Sequence, residues 1–213
     1  MKLDRISLKI SKFLESILLK KILSIFIILI SNISAYHTVK INMNNEELES
    51  GINLDLAQFV DRFPVNRYFL GVDYLYIESQ DTDYMTSLNF LMKNRLSNFR
   101  LITFGLGAKI LSTKIGEDNE KTIFAIPFGI YINFALPIYS LPVSLSTHIY
   151  YSPKPLTFSD GDTYFEQRYE LSFEVIEKGQ IFIGYRDISA TLQNLIENLT
   201  ITKIPYIGMR FGF

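Results

Sequence analysis

The chain has two histidines and no cysteine among its 213 residues, so nucleophilic and metal chemistry must be sought in a short set of side chains. His148 is the most suggestive of them. Ser144 and Ser146 share its face of one extended segment, and Glu170 lies on the next. An imidazole between a hydroxyl and a carboxylate is the arrangement that activates a serine nucleophile. The spacing matches no catalytic motif, however, and the alternation of the segment points His148 away from any apolar exterior where a lipid substrate would lie. A lone inward histidine of this kind reads as a member of a hydrogen-bonding network, so no catalytic residue is expected and the chain is not read as an enzyme. His37 is too far along the chain to complete a metal site with His148. The absence of cysteine removes thiolate catalysis, thiolate-ligated metals and disulfides. Asp160-Gly161-Asp162 offers too few ligands for a calcium loop and reads as a turn. Asn198-Leu199-Thr200 would be a glycosylation site only in a eukaryotic secretory route. No cofactor and no metal are expected.

More informative are the charges that recur on one parity of successive segments. Lys109, Arg168, Arg186 and Arg210 are the basic members, and Asp55, Asp73, Glu166, Glu170 and Glu174 the acidic ones. Charges of both signs on the confined side of a sheet must pair, because an unpaired buried charge is costly. Asp73, Lys109, His148, Glu166, Arg168, Glu170, Glu174, Arg186 and Arg210 are therefore expected to form a network that fills a lumen. The alternative is a charged constriction in a narrow pore. With 21 basic and 22 acidic residues the chain is nearly neutral, so no nucleic-acid partner is implied.

The segments that carry these residues alternate with period two, the mark of strands with one apolar face. Val39, Ile41 and Met43 alternate with Lys40 and Asn42, and Ile52, Leu54 and Leu56 with Asn53 and Asp55. Leu70, Val72, Tyr74 and Tyr76 oppose Gly71 and Asp73, although Leu75 and Ile77 blur that strand. Later strands place Lys109, His148, Arg168, Glu170, Glu174 and Arg186 opposite Leu106, Ile149, Tyr169, Leu171 and Ile183. The final strand sets Ile207, Met209, Phe211 and Phe213 against Gly208, Arg210 and Gly212.

Ten strands result, with eight as the alternative if the first hairpin is lost. An even number suits a single-chain bacterial barrel with short turns on one side and longer loops on the other. The turn at Glu177–Gly179 is tight, whereas Ser152–Thr163 and Ile188–Ile201 read as long external loops. Asp61–Asn66 and Lys93–Asn98 read as short periplasmic connections. In lipid every strand edge must be closed, since no water satisfies the backbone. The expected fold is an all-β transmembrane up-and-down antiparallel barrel, with apolar residues facing lipid and charged ones facing the lumen. A soluble ligand-binding barrel would invert that arrangement.

Lys20-Lys21 before the apolar run Ile22–Ile30, with Ala35 as a cleavage position, reads as a signal peptide over residues 1–35. That run is too short to span a bilayer, which takes about 20 residues. The barrel domain is expected over 36–213. The terminal set Ile207, Met209, Phe211 and Phe213 is read as the assembly signal of an outer-membrane barrel.

From Ile138 onward the chain resembles the YfaZ family of bacterial outer-membrane proteins. The resemblance is carried by Leu141-Pro-Val-Ser-Leu-Ser-Thr-His-Ile-Tyr-Tyr-Ser-Pro153, Leu156-Thr-Phe-Ser-Asp160, Ile183-Gly-Tyr-Arg-Asp-Ile188 and Gly208-Met-Arg-Phe-Gly-Phe213. The Tyr-Tyr-x-Pro and Gly-Tyr-Arg steps are its most specific parts. The earlier half matches in rhythm only, through Thr38–Leu56 and the strands around Gly105 and Gly129. The resemblance implies an outer-membrane β-barrel and brings no catalytic residues. The expected role is structural or surface-interacting, with a narrow pore and a lipid-modifying enzyme as successive alternatives. Expected partners are outer-membrane lipid and, during biogenesis, periplasmic chaperones and the assembly machinery acting on a monomer.

Overall fold

Alternating apolar and polar residues can bury one face only against a matching environment, and here the apolar face is the outer one. In this computed structural model, residues 37–56, 66–78, 82–96, 99–115, 121–138, 142–193 and 198–213 are described. The signal segment 1–35 lies outside them, as do most of the Asp61–Asn66 turn and residues 116–120. The described chain forms β1 (Thr38–Met43), β2 (Glu47–Asp55), β3 (Asn66–Glu78), β4 (Thr82–Arg95), β5 (Ile102–Ile115), β6 (Lys121–Ala125), β7 (Phe128–Leu136), β8 (Val143–Ser152), β9 (Thr157–Ser159), β10 (Gly161–Ile176), β11 (Gly179–Leu192) and β12 (Asn198–Gly212).

All pairings are antiparallel, and the sheet closes through β4 on β5 and β1 on β12. These twelve segments make a closed barrel of ten strands, because two of the strands are broken. β6 and β7 are successive parts of one strand against β5, with Leu111 opposite Ala125 and Ala108 opposite Phe128. Between them lies Ile126-Pro127. Pro127 has no N–H to give the ladder, and its carbonyl accepts from Lys109 N–H at 2.9 Å. β9 likewise continues the line of β8 beyond a 3-10 turn at Lys154–Leu156 and pairs with β6.

The outer surface is apolar all round. Val72, Phe128, Leu145, Ile183 and Ile207 are each at least half exposed, and the charged partners of their strands are buried. This is the polarity of a barrel solvated by lipid. The first and last described residues lie at one rim, where Phe213 N–H donates to His37 O at 2.9 Å and the His37 Nδ1 accepts from Asp55 N–H at 3.1 Å. That rim is called the terminal end, and the opposite one the loop end.

Two expected loops are largely strand. β11 runs to Leu192 and β12 begins at Asn198, so most of Ile188–Ile201 belongs to the wall. Ser152–Thr163 resolves into the 3-10 turn, β9, a tight turn at Ser159-Asp160 and the start of β10. At the Glu177–Gly179 turn, Lys178 takes a left-handed conformation with φ 60°. β12 also carries Pro205 opposite Tyr185. Gly212 N–H points to Lys178 O and Phe213 N–H to His37 O, so odd positions near this end face β1. The last β1 pair is Met43 with Ile207, so Pro205 falls just beyond it and removes no ladder bond there.

Candidate functional site: the lumen

The inner face changes character at one level of the barrel. Across a single two-residue step, Asp73 gives way to Leu75, Ser87 to Met85, Lys109 to Leu111, Glu166 to Tyr164 and Arg186 to Ile188, all buried. The polar member of each pair lies nearer the terminal end. Above the step, Leu75, Ile77, Met85, Leu111, Ile123, Ala125, Tyr164, Ile188, Ala190, Leu192 and Ile201 pack into one apolar cluster that fills the loop end of the lumen. A bulge in β12 helps to set the boundary. Ile188 pairs with Thr202 and Ser189 with Thr200, which leaves Ile201 as the extra residue. Ile201 and Thr202 are consequently both buried, the first in the apolar plug and the second on Glu47.

Below the step lies an ionic layer with Glu49 at its hub. Its carboxylate accepts from Lys40 Nζ at 2.9 Å, from Asn42 Nδ2 at 3.1 Å and from Arg168 Nη1 at 2.7 and 2.6 Å, and it also takes Arg186 Nη1. Arg186 turns its other nitrogen, Nη2, to Glu47 at 2.6 Å. Arg168 Nε reaches Glu166 at 2.6 Å, and Glu166 also accepts two bonds of 2.8 Å from Lys109 and one of 2.9 Å from Tyr164. Lys40 bridges on to Asp73 at 3.0 Å, and Asp73 takes Asn89 Nδ2 at 2.6 Å. Nearer the terminal end, Glu170 holds Arg210 at 2.7 Å and the Tyr206 hydroxyl at 3.0 Å. Aromatic faces cover the cations, with Lys109 4.2 Å from the Tyr150 ring centre, Arg186 4.9 Å from Tyr206 and Arg210 4.8 Å from Phe182.

Room for these groups comes from small residues opposite them. A Cβ on Gly51 would fall 2.6 Å from Lys40 Cε, and one on Gly184 would fall 2.5 Å from the Tyr206 ring. Both positions need glycine for close approach rather than for backbone freedom.

Of the nine residues assigned to a lumen network from the sequence, Asp73, Lys109, Glu166, Arg168, Glu170, Arg186 and Arg210 are brought into ion pairs. Glu174 lies toward the terminal rim and joins none of them. His148 packs on Tyr131, with ring centres 4.6 Å apart and planes at 58°. It makes no hydrogen bond to Ser144, Ser146 or Glu170, so these four do not assemble as a triad. Asp55 is buried near the terminal rim. Ile207, Met209 and Phe211 are exposed on the outer face, and the Phe213 ring lies 5.7 Å from that of His37. Asp160 caps a turn by accepting Thr122 N–H at 2.9 Å, and Asp162 pairs with Lys154 at 2.9 Å.

Lys40, Glu47 and Glu49 are the members that the sequence reading did not place in the network. Their signal was present. Glu47, Glu49 and Gly51 share the parity of Asn53 and Asp55, so the inward face of β2 begins five residues before Ile52. Below the ionic layer the lumen opens into a cavity of about 300 Å³, walled by Lys93, Tyr131, Asn133, Ser144, His148 and Gln180 among others.

Comparisons with known proteins come from two directions. A structure of the NanC porin in a rhombohedral crystal form is 8% identical, with 84% of this chain and 100% of that one covered and a TM-score of 0.43. A structure from work on the in-meso crystallization of membrane proteins is 15% identical, with 84% and 83% covered and a TM-score of 0.41. No curated relative matches the chain. The family described as YfaZ precursor matches residues 26–213. That span takes in every described strand, and the chain belongs to the YfaZ family.

Proposed function

We propose that the protein is a closed, monomeric barrel of the bacterial outer membrane, with a structural or surface-interaction role and no catalytic or conducting one. One observation carries this reading: the loop end of the lumen is filled by the apolar cluster of Leu75, Leu111, Ile123, Tyr164 and Ile188, with Ile123 and Ile188 fully buried. An ion crossing it would have to shed its hydration in a space without polar partners, which costs several kcal/mol or more. The ionic layer beneath supports the same reading, because its cations and carboxylates are already bound to one another. The apolar outer face supports a lipid setting, and the family's precursor description supports export. Ile207, Met209, Phe211 and Phe213 remain the proposed signal to the assembly machinery.

Planar-bilayer recording on the refolded mature chain tests this reading, using material whose gel mobility shifts on boiling. A quiet bilayer is expected. Discrete conductance steps would overturn the closed reading in favour of a narrow pore. His148→Ala is expected to leave the membrane's lipid profile unchanged, and an altered profile would favour the enzyme alternative.

A further inference from the structure

The ionic layer balances. Lys40, Lys109, Arg168, Arg186 and Arg210 stand against Glu47, Glu49, Asp73, Glu166 and Glu170, five cations and five carboxylates joined by direct ion pairs. Lys93 is left over. It projects from β4 into the 300 Å³ cavity on the terminal side of that layer and forms no ion pair with any described carboxylate. Its ammonium lies instead over two ring faces, 4.3 Å from the centre of Tyr131 and 4.9 Å from that of Phe69.

The cavity is also lined by hydrogen-bonding side chains, Ser144, Asn133 and His148 among them. Gln180 accepts from Arg210 at 3.2 Å, which leaves its amide N–H groups undirected. An ammonium without a carboxylate partner, flanked by two aromatic faces, is complementary to a negative charge on a flat or apolar body. The volume lies at the lower end of the range of ligand pockets, about 300–1,000 Å³.

We propose that this cavity binds a small organic anion, a carboxylate on a flat or apolar body, with Lys93 holding the charge and Tyr131 flanking the body. A neutral ligand would leave the Lys93 ammonium without a counter-charge. The site does not depend on whether the barrel conducts, so its failure and that of the closed reading are read in separate assays.

The test is titration calorimetry of the refolded mature chain in zwitterionic micelles, with benzoate as probe and benzamide as its neutral counterpart. Ionic strength is matched and protein-free micelle heats are subtracted. Saturable one-to-one binding of benzoate and none of benzamide is expected. Lys93→Met should weaken benzoate binding about tenfold or more, as loss of a charge-assisted contact does, while Lys93→Arg should stay within about threefold. Absence of saturable benzoate binding by folded wild-type protein overturns the proposal, as does equal binding of benzamide or unchanged binding by folded K93M. Should K93M fail to fold, the benzoate–benzamide comparison on wild-type protein decides alone.

Discussion

The two halves of the inner face exclude water by opposite means. The loop-end plug relies on packing, through side chains such as Leu111 and Ile123 that need no partner of defined geometry. The ionic layer relies on stoichiometry, since Glu49 and Arg186 are both fully buried and each is tolerable because opposite charges surround it. Lipid rewards neither half, because neither faces it. The outer wall therefore needs only to be apolar, whereas the inner one must be either packed or matched.

That contrast can be broken most severely at Glu49. Glu49→Gln removes a carboxylate shared by Arg168 and Arg186, leaving them only Glu166 and Glu47, and a loss of about 3–5 kcal/mol is expected from urea titrations of the gel-shifted band. Leu111→Ala removes packing but no charge, and a smaller loss of about 2–4 kcal/mol is expected in the same assay. If L111A proves the more damaging, the ranking of the two halves is reversed. Gly51→Ala pushes on Asp73 and Lys40 without deleting either. A cost of about 1–3 kcal/mol is expected from overpacking, and it should shrink when Asp73→Ala is made in the same chain. Smallest is the turn outside both halves. Lys178→Gly relieves a left-handed side-chain position and should stabilise by about 1 kcal/mol, measured as a higher urea midpoint.

The same contrast explains what could be read in the sequence. Where the lumen is ionic, apolar and charged residues alternate, so strands such as Tyr169–Val175 declare both faces. At the plug the alternation changes sense. In the upper part of β11, Ile188, Ala190 and Leu192 turn inward while Asp187, Ser189 and Thr191 take the other face, so the segment lacks the apolar outer face of the lower strands and reads as loop. Leu75 and Ile77 blurred β3 because they are plug residues next to outward Tyr74 and Tyr76. The ten-strand count survived because the lower half of each strand sets polar, charged or small residues against apolar ones. The hub itself was hidden for a different reason. Glu47 and Glu49 follow the Asn44-Asn45 turn, and their shared parity with Asn53 and Asp55 places them on the inward face without naming their partners. The partners that make Glu49 a hub are 119 and 137 positions away, and no local pattern encodes that meeting.

Those separations carry a consequence in time. The pairs from β2 to β10 and β11 lie across the seam where β1 meets β12, so they can form only once the last strand has found the first. Their stabilisation arrives after the slow step of bringing distant segments together has been taken. Contacts absent from the transition state do little for the speed of folding and much for the slowness of its reversal. Glu49 thus acts as a latch: a barrel that assembles at an ordinary rate would, once shut, reopen only on a far longer timescale.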